Sequence, residues 1–279
     1  MATSINLATS YSGKIATAFT KASYVAGNYS NDYSFEGVRS LNIWTPKTVD
    51  LVDYDRTATA DRFGQMTEME DSLQTLTMNE EKSFSISIDR GNYSDQMMMK
   101  RAGRMMNLQI AEKVVPMMDK YTFNAWVNAA GTKAATGALT KTNVVGKLLD
   151  AGAALDNALV PDDNRVVYLP VRNYNYLRQS SEFMNLEALG VKAVKKGEVG
   201  NVGNMRIVKV PDSYLPADVE FLLTYKGSLL RPVKLKTARI LTEVKDVDGW
   251  LLQGRWYYDA FVIKAKEMGV YAGLTAARG

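Results

Sequence analysis

The chain has 279 residues, of which 46% are hydrophobic, enough apolar material for one large domain or two ordinary ones. Its 34 basic and 30 acidic residues leave a formal charge of +4, too small a surplus to indicate nucleic acid binding by itself. Cysteine and histidine are both absent, which excludes disulfides, thiolate catalysis and cysteine metal sites and removes the usual general base near neutral pH. Carboxylate or lysine chemistry remains open, but the composition disfavours an enzyme, and we expect no cofactor and no metal.

The first residues, Met-Ala-Thr-Ser-Ile-Asn-Leu-Ala, lack the basic and apolar regions of a signal peptide. No window approaches eighteen uninterrupted apolar residues, so we expect no membrane-spanning helix and no membrane partner. The chain is therefore expected to be synthesised inside the cell in soluble form.

Residues 1–38 are interpreted as an N-terminal arm. They are rich in Ser, Thr, Ala, Asn and Tyr and show little periodicity, so we do not expect them to form a core of their own. Such a segment gains order by lying in a groove made by other chains, and tyrosines suit this because they bury area at little rotamer cost. The expected contacts between subunits are made by four aromatic side chains: Tyr11, Phe19, Tyr24 and Tyr29.

Residues 39–90 are predicted to form a strand and a long projecting hairpin. Residues 49–89 hold ten carboxylates against three basic side chains, so the hairpin is acidic and the rest of the chain is basic. Alternating apolar residues before it, at Leu41 and Ile43, and after it, from Phe84 to Ile88, indicate the flanking strands. A lone hairpin buries too little apolar surface to be stable, so we expect this one to lie on another copy of the chain. The acidic residues expected at that contact are Asp61, Glu68, Glu70 and Asp71.

Residues 91–131 are predicted to contain one long helix that begins near Gln96. Apolar or small residues recur there in steps of three or four, and Pro116 should kink or divide the helix. Lys100, Arg101 and Arg104 form a basic cluster on it and are candidate contacts to phosphate groups. A solvated face, or pairing with acidic residues, explains the cluster equally well.

Residues 132–240 are predicted to be an inserted α/β unit. A small-residue stretch at 131–137 suggests the linker that opens it. The elements expected within it are a helix at 143–159, a strand at 166–169, a helix after Pro170, and strands at 205–210 and 221–225. Gly197, Gly200 and Gly203 precede a strand rather than a helix, so we interpret them as a turn and not as a phosphate loop.

Basic residues of this unit are the expected surface for the acidic hairpin. They are Lys192, Lys195, Lys196, Arg206, Lys209, Lys226, Arg231, Lys234, Lys236 and Arg239. Residues 241–279 complete the chain, with a turn at Asp248-Gly249 between a strand ending near Val247 and a strand starting at Trp250. These last strands are expected to return beside the long helix.

The order of these segments resembles the major capsid protein of tailed bacteriophages, the Hong Kong 97 type of shell fold. Four stretches carry the resemblance, which covers nearly the whole chain. They are 76–95 (F-S-I-S-I-D running into Y-S-D-Q), 155–177 (L-D-N-A-L-V-P-D-D-N-R-V-V-Y-L-P), 197–211 (G-E-V-G-N-V-G-N-M-R-I-V-K-V-P) and 254–271 (R-W-Y-Y-D-A-F-V-I). No single stretch is diagnostic, and the argument depends on their order and spacing.

The resemblance implies an α+β fold with an N-terminal arm (1–38), an extended loop (39–90), a peripheral domain with a spine helix (91–131), an inserted axial domain (132–240) and returning peripheral strands (241–279). It implies a coat protein that assembles as hexamers and pentamers into an icosahedral shell around double-stranded DNA. The expected location is the virion, after assembly in the host cytoplasm. A portal, decoration proteins and a separate scaffold protein are expected partners, the last because the chain starts at Met1 with a short arm.

Two alternatives remain open from the sequence. An encapsulin-like nanocompartment shell shares the fold and encloses an enzyme, although such shells tend to lack an arm of 38 residues. A hydrolase could use paired carboxylates such as Glu68, Glu70 and Asp71, because glycoside chemistry needs two carboxylates across a cleft. Their position on a polar hairpin favours a solvated or partner-facing role instead.

Overall fold

The computed structural model describes residues 23–33, 35, 39–57, 59–66, 68–91, 102–180, 198–242 and 248–276. Its helices are α1 (Ala102–Gln109), α2 (Val115–Asn128), α3 (Val144–Asn157) and α4 (Val171–Gln179). Its strands are β1 (Ser40–Pro46), β2 (Asp71–Thr77), β3 (Glu80–Asp89), β4 (Thr132–Ala135), β5 (Arg165–Pro170), β6 (Glu198–Val202), β7 (Met205–Val210), β8 (Val219–Tyr225), β9 (Leu229–Leu230), β10 (Val233–Leu241), β11 (Gly249–Tyr258), β12 (Phe261–Val262) and β13 (Val270–Leu274).

A six-stranded mixed sheet in the order β4-β13-β8-β5-β7-β6 forms the centre of the larger unit. The pairs β5/β7 and β4/β13 are parallel and the others are antiparallel. Every residue of β5 is buried, and its successive side chains enter two different cores. Val166 and Tyr168 pack with α2, whereas Val167 and Leu169 pack with α3 and α4. Burial on both faces explains why this strand is a continuous apolar run rather than an alternating one.

Helix α3 forms as the sequence predicts. Val145, Leu148 and Leu155 follow each other at helical spacing and are buried against the sheet. Leu159 ends the helix in the left-handed conformation, at a φ of 56°, and the Val160 amide donates back to the Leu155 carbonyl. This back-bond satisfies a carbonyl that the end of the helix would otherwise leave free.

The long helix is divided at the predicted place. A π-helical turn, Ile110–Val114, separates α1 from α2, and Pro116 lies in the first turn of α2. Proline has no amide hydrogen to donate to the preceding turn, and the widened turn absorbs that gap. The predicted start near Gln96 lies outside the described residues.

A three-stranded antiparallel sheet, in the order β10-β11-β3, packs against the first part of this helix. Ile88 and Leu252 meet Met106 of α1, and Trp256 meets Val114 and Met118. The strands expected to return beside the long helix are therefore β10 and β11. Strand β10 ends at Leu241 instead of near Val247, and residues 243–247 lie outside the described part of the chain.

Two predicted elements differ in the structure. The 131–137 stretch contains β4, a short edge strand that pairs in parallel with β13. Strand β13 follows the strands expected beside the long helix; it belongs to the six-stranded sheet and packs on α2, the second part of that helix. The glycine series contributes β6, and the left-handed Gly203, at a φ of 58°, makes the turn into β7. Strand β4 depends on a backbone ladder with the distant strand β13, which local composition does not show, whereas β6 pairs with its immediate neighbour β7.

Gly131 joins α2 to β4 and lies against the backbone of Glu267 and Met268. A Cβ at this position would be 2.6 Å from the Glu267 carbonyl oxygen. We expect Gly131→Ala to destabilise the subunit by about 1–3 kcal/mol, because backbone atoms must move apart. The matched control is Gly146→Ala in α3, where a Cβ has no atom within 4 Å, and which should stabilise the helix by about 0.5–1 kcal/mol. Equal effects of the two changes in thermal unfolding would contradict this packing.

Candidate assembly interface

The acidic hairpin is present, but its second strand is β2 and not the expected strand at Phe84–Ile88. Strand β1 pairs with β2 in antiparallel register from Ser40 opposite Thr77 to Pro46 opposite Asp71. The alternating segment Phe84–Ile88 belongs instead to β3, which pairs with β11. We call residues 40–77 the assembly arm. Residues 47–70 form its tip beyond the two strands.

The tip of the assembly arm is closed on itself by a few contacts. The Asp55 amide donates to the Arg62 carbonyl at 3.1 Å, and the Tyr54 and Phe63 rings meet edge to face with centroids 4.9 Å apart. Gly64, at a φ of 81°, lies against Val52, where a Cβ would come within 2.6 Å of a methyl group. These contacts define a small loop without giving it a core.

Large apolar side chains are concentrated on the assembly arm and are exposed there. Leu51 and Met66 are fully exposed and Phe63 is 83% exposed. The other members of this set are Trp44, Val49, Val52, Tyr54, Met69 and Leu73. Exposed apolar clusters of this size, rimmed by charge, mark interaction surfaces in soluble proteins. Sequence analysis missed this feature because the acidic residues dominate the composition of the segment.

The four predicted acidic residues all lie on the assembly arm, exposed and apart from the body of the subunit. Asp61 is in the left-handed conformation at a φ of 52°, and its carbonyl accepts from the Gly64 amide. Glu70 accepts from Lys47 Nζ at 2.9 Å across the hairpin, which lowers the pKa of Glu70 and raises that of Lys47. Glu68 and Asp71 are exposed. Their contact with another subunit stays a prediction.

The base of the assembly arm is fixed to the body at two places, of which the first is Gln74. Its Nε2 donates to the Val262 carbonyl at 3.1 Å, and its Oε1 accepts from the Lys264 amide at 2.8 Å. Ile43 and Leu76 pack beside it with Met78 and Ile263. The orientation of strand β2 on the body is therefore set by both ends of one amide.

The second attachment is a buried carboxylate, Asp259. It accepts from the Asn79 amide at 2.9 Å, the Tyr121 hydroxyl at 2.7 Å and its neighbour's amide, Ala260 N, at 2.8 Å. Burial and the adjacent Asp259 raise the pKa of Tyr121. The carboxylate thus joins the β2–β3 turn to helix α2.

The N-terminal segment lies on its own chain in the part that the structure describes. Val25 is fully buried, and Tyr24 packs edge to face on Tyr214 with ring centroids 5.3 Å apart. Tyr29 packs against the same core, and the Ser30 amide donates to the Leu229 carbonyl. We call residues 23–30 the strap. The expectation that residues 1–38 gain order by lying in a groove made by other chains does not hold for the strap, which packs on its own subunit.

A buried ion pair fixes the strap. Asp119 of α2 is fully buried and accepts from Ser23 Oγ at 2.7 Å, the Tyr24 amide at 2.8 Å and Arg231 Nη2 at 3.0 Å. Burial raises the pKa of Asp119, while the bonds from Ser23 and Arg231 lower it. Contacts of Tyr24 and Tyr29 with other subunits stay predictions, and Tyr11 and Phe19 lie outside the described residues.

The basic residues singled out from the sequence differ in their burial and position. Arg104 is exposed on α1, and its partners in the cluster, Lys100 and Arg101, lie outside the described residues, so a DNA contact there stays a prediction. Arg231 is wrong as part of a surface for the acidic arm, because it is buried against Asp119. Lys234, Lys236 and Arg239 are exposed on the edge strand β10, as that role requires.

No metal-binding cluster of acidic side chains and no helix long and apolar enough to cross a membrane occurs among the residues that the structure describes.

Comparison with known proteins identifies the fold. No protein-family model and no curated protein matches the chain. Among solved structures, the capsid of the cyanophage P-SCSP1u matches with a TM-score of 0.77 and 15% identity, over 98% of this chain and 94% of that one. A structure of Mycobacterium phage Che8 matches with a TM-score of 0.72 and 17% identity over 98% of both chains. The mature capsid of bacteriophage PhiM1 matches with a TM-score of 0.72 and 13% identity, over 95% of this chain and 90% of that one.

The chain therefore has the shell fold of tailed-phage capsid proteins, as the sequence predicts. The match extends over 98% of this chain in both the cyanophage and the Che8 structures. These comparisons do not favour the nanocompartment shell or the hydrolase.

Proposed function

We propose that the chain is the major capsid protein of a tailed phage, a structural subunit that assembles with copies of itself into a closed shell in the virion. The main support is the full-length likeness to solved phage capsids. The assembly arm supplies the physical reason, because its tip exposes large apolar side chains of the kind that mark a contact with a partner.

In this proposal the assembly arm of one subunit lies on the body of the next. The apolar side chains of the tip supply the affinity, since burying each of them contributes about 1.5–3 kcal/mol. The acidic residues and the basic edge strand β10 supply orientation, because exposed charges steer association more than they strengthen it. Gln74 and Asp259 hold the arm at the angle that the shell requires.

Further partners belong to the same proposal. The shell would enclose double-stranded DNA, held without sequence preference through basic side chains such as Arg104. Assembly would take place in the host cytoplasm as hexamers and pentamers, with a scaffold protein, a portal and decoration proteins as partners. The subunit would do no catalysis.

The direct test is assembly of the full-length recombinant protein. Closed shells are expected in negative-stain micrographs, with a matching large species in light scattering. The experiment covers a range of salt and protein concentrations, because charge contacts are screened over about 8–10 Å at physiological ionic strength. A monomer under every condition, with and without the phage's scaffold protein, would overturn the proposal.

A further inference from the structure

A polar cleft opens at one end of the six-stranded sheet, where β5 and β7 begin and β8 ends. It has a volume of about 380 Å³. The side chains that give it its character are four asparagines and two cations: Asn28, Asn164, Asn201, Asn204, Arg206 and Lys226. We call it the asparagine cleft. It is separate from the assembly arm and from the cluster at Arg104.

The charge of the asparagine cleft is positive. Arg165 also lines it, but its guanidinium is buried and bound to Asp156, Asp162 and the Pro161 carbonyl, so it serves the structure of the wall. No carboxylate occurs among the described residues that line the cleft. Arg206 and Lys226 are therefore the lining charges that an anion would meet, with Asp163 beside the cleft, where it accepts from Asn164 Nδ2, and Asp32 in the adjoining cleft.

The walls are held in place by the backbone. The strap supplies one wall at Gly27, which adopts a φ of 81°, and at Asn28, whose Oδ1 accepts from Arg206. The opposite wall is Asn164, also left-handed at a φ of 55°, whose carbonyl accepts from the Lys226 amide at 3.2 Å. The left-handed backbone at Gly27 and Asn164 shapes the two walls. The bonds from Arg206 to Asn28 and from the Lys226 amide to Asn164 hold those walls in place.

A second cleft adjoins the first and shares Asn164 and Lys226 with it. It has a volume of about 400 Å³ and is lined by Tyr29 and Tyr225 as well as by Asp32. Lys226 thus lies between the asparagine cleft, which is lined by cations and amides, and the adjoining cleft, which is lined by two aromatic rings. This juxtaposition matches the two ends of a nucleotide, whose phosphate is anionic and whose base stacks on aromatic side chains.

We propose that the asparagine cleft binds the phosphate of a nucleotide, with the base directed to the adjoining cleft of Tyr29 and Tyr225. Guanidinium and ammonium groups donate charge-assisted hydrogen bonds to phosphate oxygens, and the amides of Asn201 and Asn204 add neutral donors. Each cleft is within the range of about 300–1,000 Å³ that small-molecule sites occupy. The donors are side chains and not the backbone amides of a glycine-rich phosphate loop, so the site does not require such a loop before a helix.

The nucleotide has two sources that share this chemistry, a free mononucleotide or a residue of a single nucleic acid strand. The inference goes beyond the proposed function, because it is measured on the unassembled subunit and holds whether or not a shell forms. A protein that encloses DNA would meet both sources.

The test is calorimetric titration of the full-length, unassembled protein with inorganic phosphate, thymidine monophosphate and a short oligothymidylate. We expect Lys226→Gln to weaken nucleotide binding roughly tenfold, as the loss of one charged hydrogen bond predicts. Asn204→Asp should weaken it similarly by placing a carboxylate in the cleft. Asn204 lies on the exposed turn after β6, so this second variant leaves the bond between Arg206 and Asn28 intact.

The matched control is the double variant Lys141→Gln and Arg178→Gln, which removes two exposed charges of the same unit outside the cleft. It should bind like the wild type. Stronger binding of the monophosphate than of phosphate supports the base contact, and comparison with the oligothymidylate identifies the source. The proposal is overturned if none of the three probes binds at millimolar concentration, or if the cleft variants bind them as the control does.

Discussion

Replacing Leu51, Phe63 and Met66 by serine is expected to abolish shell assembly and to leave the subunit folded. All three side chains are almost entirely exposed, so the isolated subunit loses little, within about 0.5 kcal/mol of its free energy of unfolding. In a shell each would be buried by a neighbouring subunit, and losing three such contacts per interface costs well over a hundredfold in affinity at about 1.5–3 kcal/mol each.

The measurement combines thermal unfolding of the subunit with light scattering of the assembly reaction. A matched control changes three apolar residues elsewhere on the surface, Leu149, Tyr176 and Met268, which are 40–47% exposed. The control should assemble. Normal shells from the arm variant at wild-type concentrations would show that these apolar side chains make no contact between subunits. That result would leave the role of the acidic residues untouched.

The local elements of the larger unit are readable from the sequence. Helix α3 and strand β7 occupy almost the predicted ranges, because each carries its own periodicity and turn residues. The division of the long helix at Pro116 is likewise a local effect. Such features depend on the local sequence and not on which distant segment packs against them.

Pairing between distant segments was not readable in the same way. Phe84–Ile88 alternates more regularly than β2 does, which made it the better candidate for the return strand of the hairpin. Its partner is β11, more than 150 residues away, and Phe84 stacks there on Trp256. Strand β4 has only four residues, Thr-Lys-Ala-Ala, and forms because it pairs in parallel with β13. Local propensity does not contain this information.

The candidate interface shows the same limit. The acidic residues of the arm can be counted in the sequence. The exposure of Leu51 and Met66 cannot be read from it, because it arises from their position in the tip, beyond the ends of β1 and β2. The strap was misjudged because its composition is polar. Val25 and the rings of Tyr24 and Tyr29 nevertheless pack on the core. The distant carboxylate Asp119 accepts from the Tyr24 amide.

Removing the carboxylate of Asp119 is expected to be among the most damaging single changes in the described core. Asp119→Ala leaves Arg231 with a charge in a site where its side chain is only 8% exposed, and it also removes the acceptor of the Tyr24 amide. Breaking a buried pair by removing one partner costs about 3–5 kcal/mol, because the remaining charge is uncompensated. The expected result is a large fall in the unfolding temperature of the subunit.

Two further variants separate the charge from the hydrogen bonds. Ser23→Ala removes one hydroxyl donor and should cost only about 1 kcal/mol. Asp119→Ala combined with Arg231→Met removes the unpaired charge, so it should recover much of the stability that Asp119→Ala loses. Thermal unfolding of the four proteins, with the wild type as reference, gives the order wild type, Ser23→Ala, double variant, Asp119→Ala. If Asp119→Ala is no less stable than Ser23→Ala, the carboxylate does not hold the strap to helix α2, and the strap's attachment depends on Val25 and its neighbours alone.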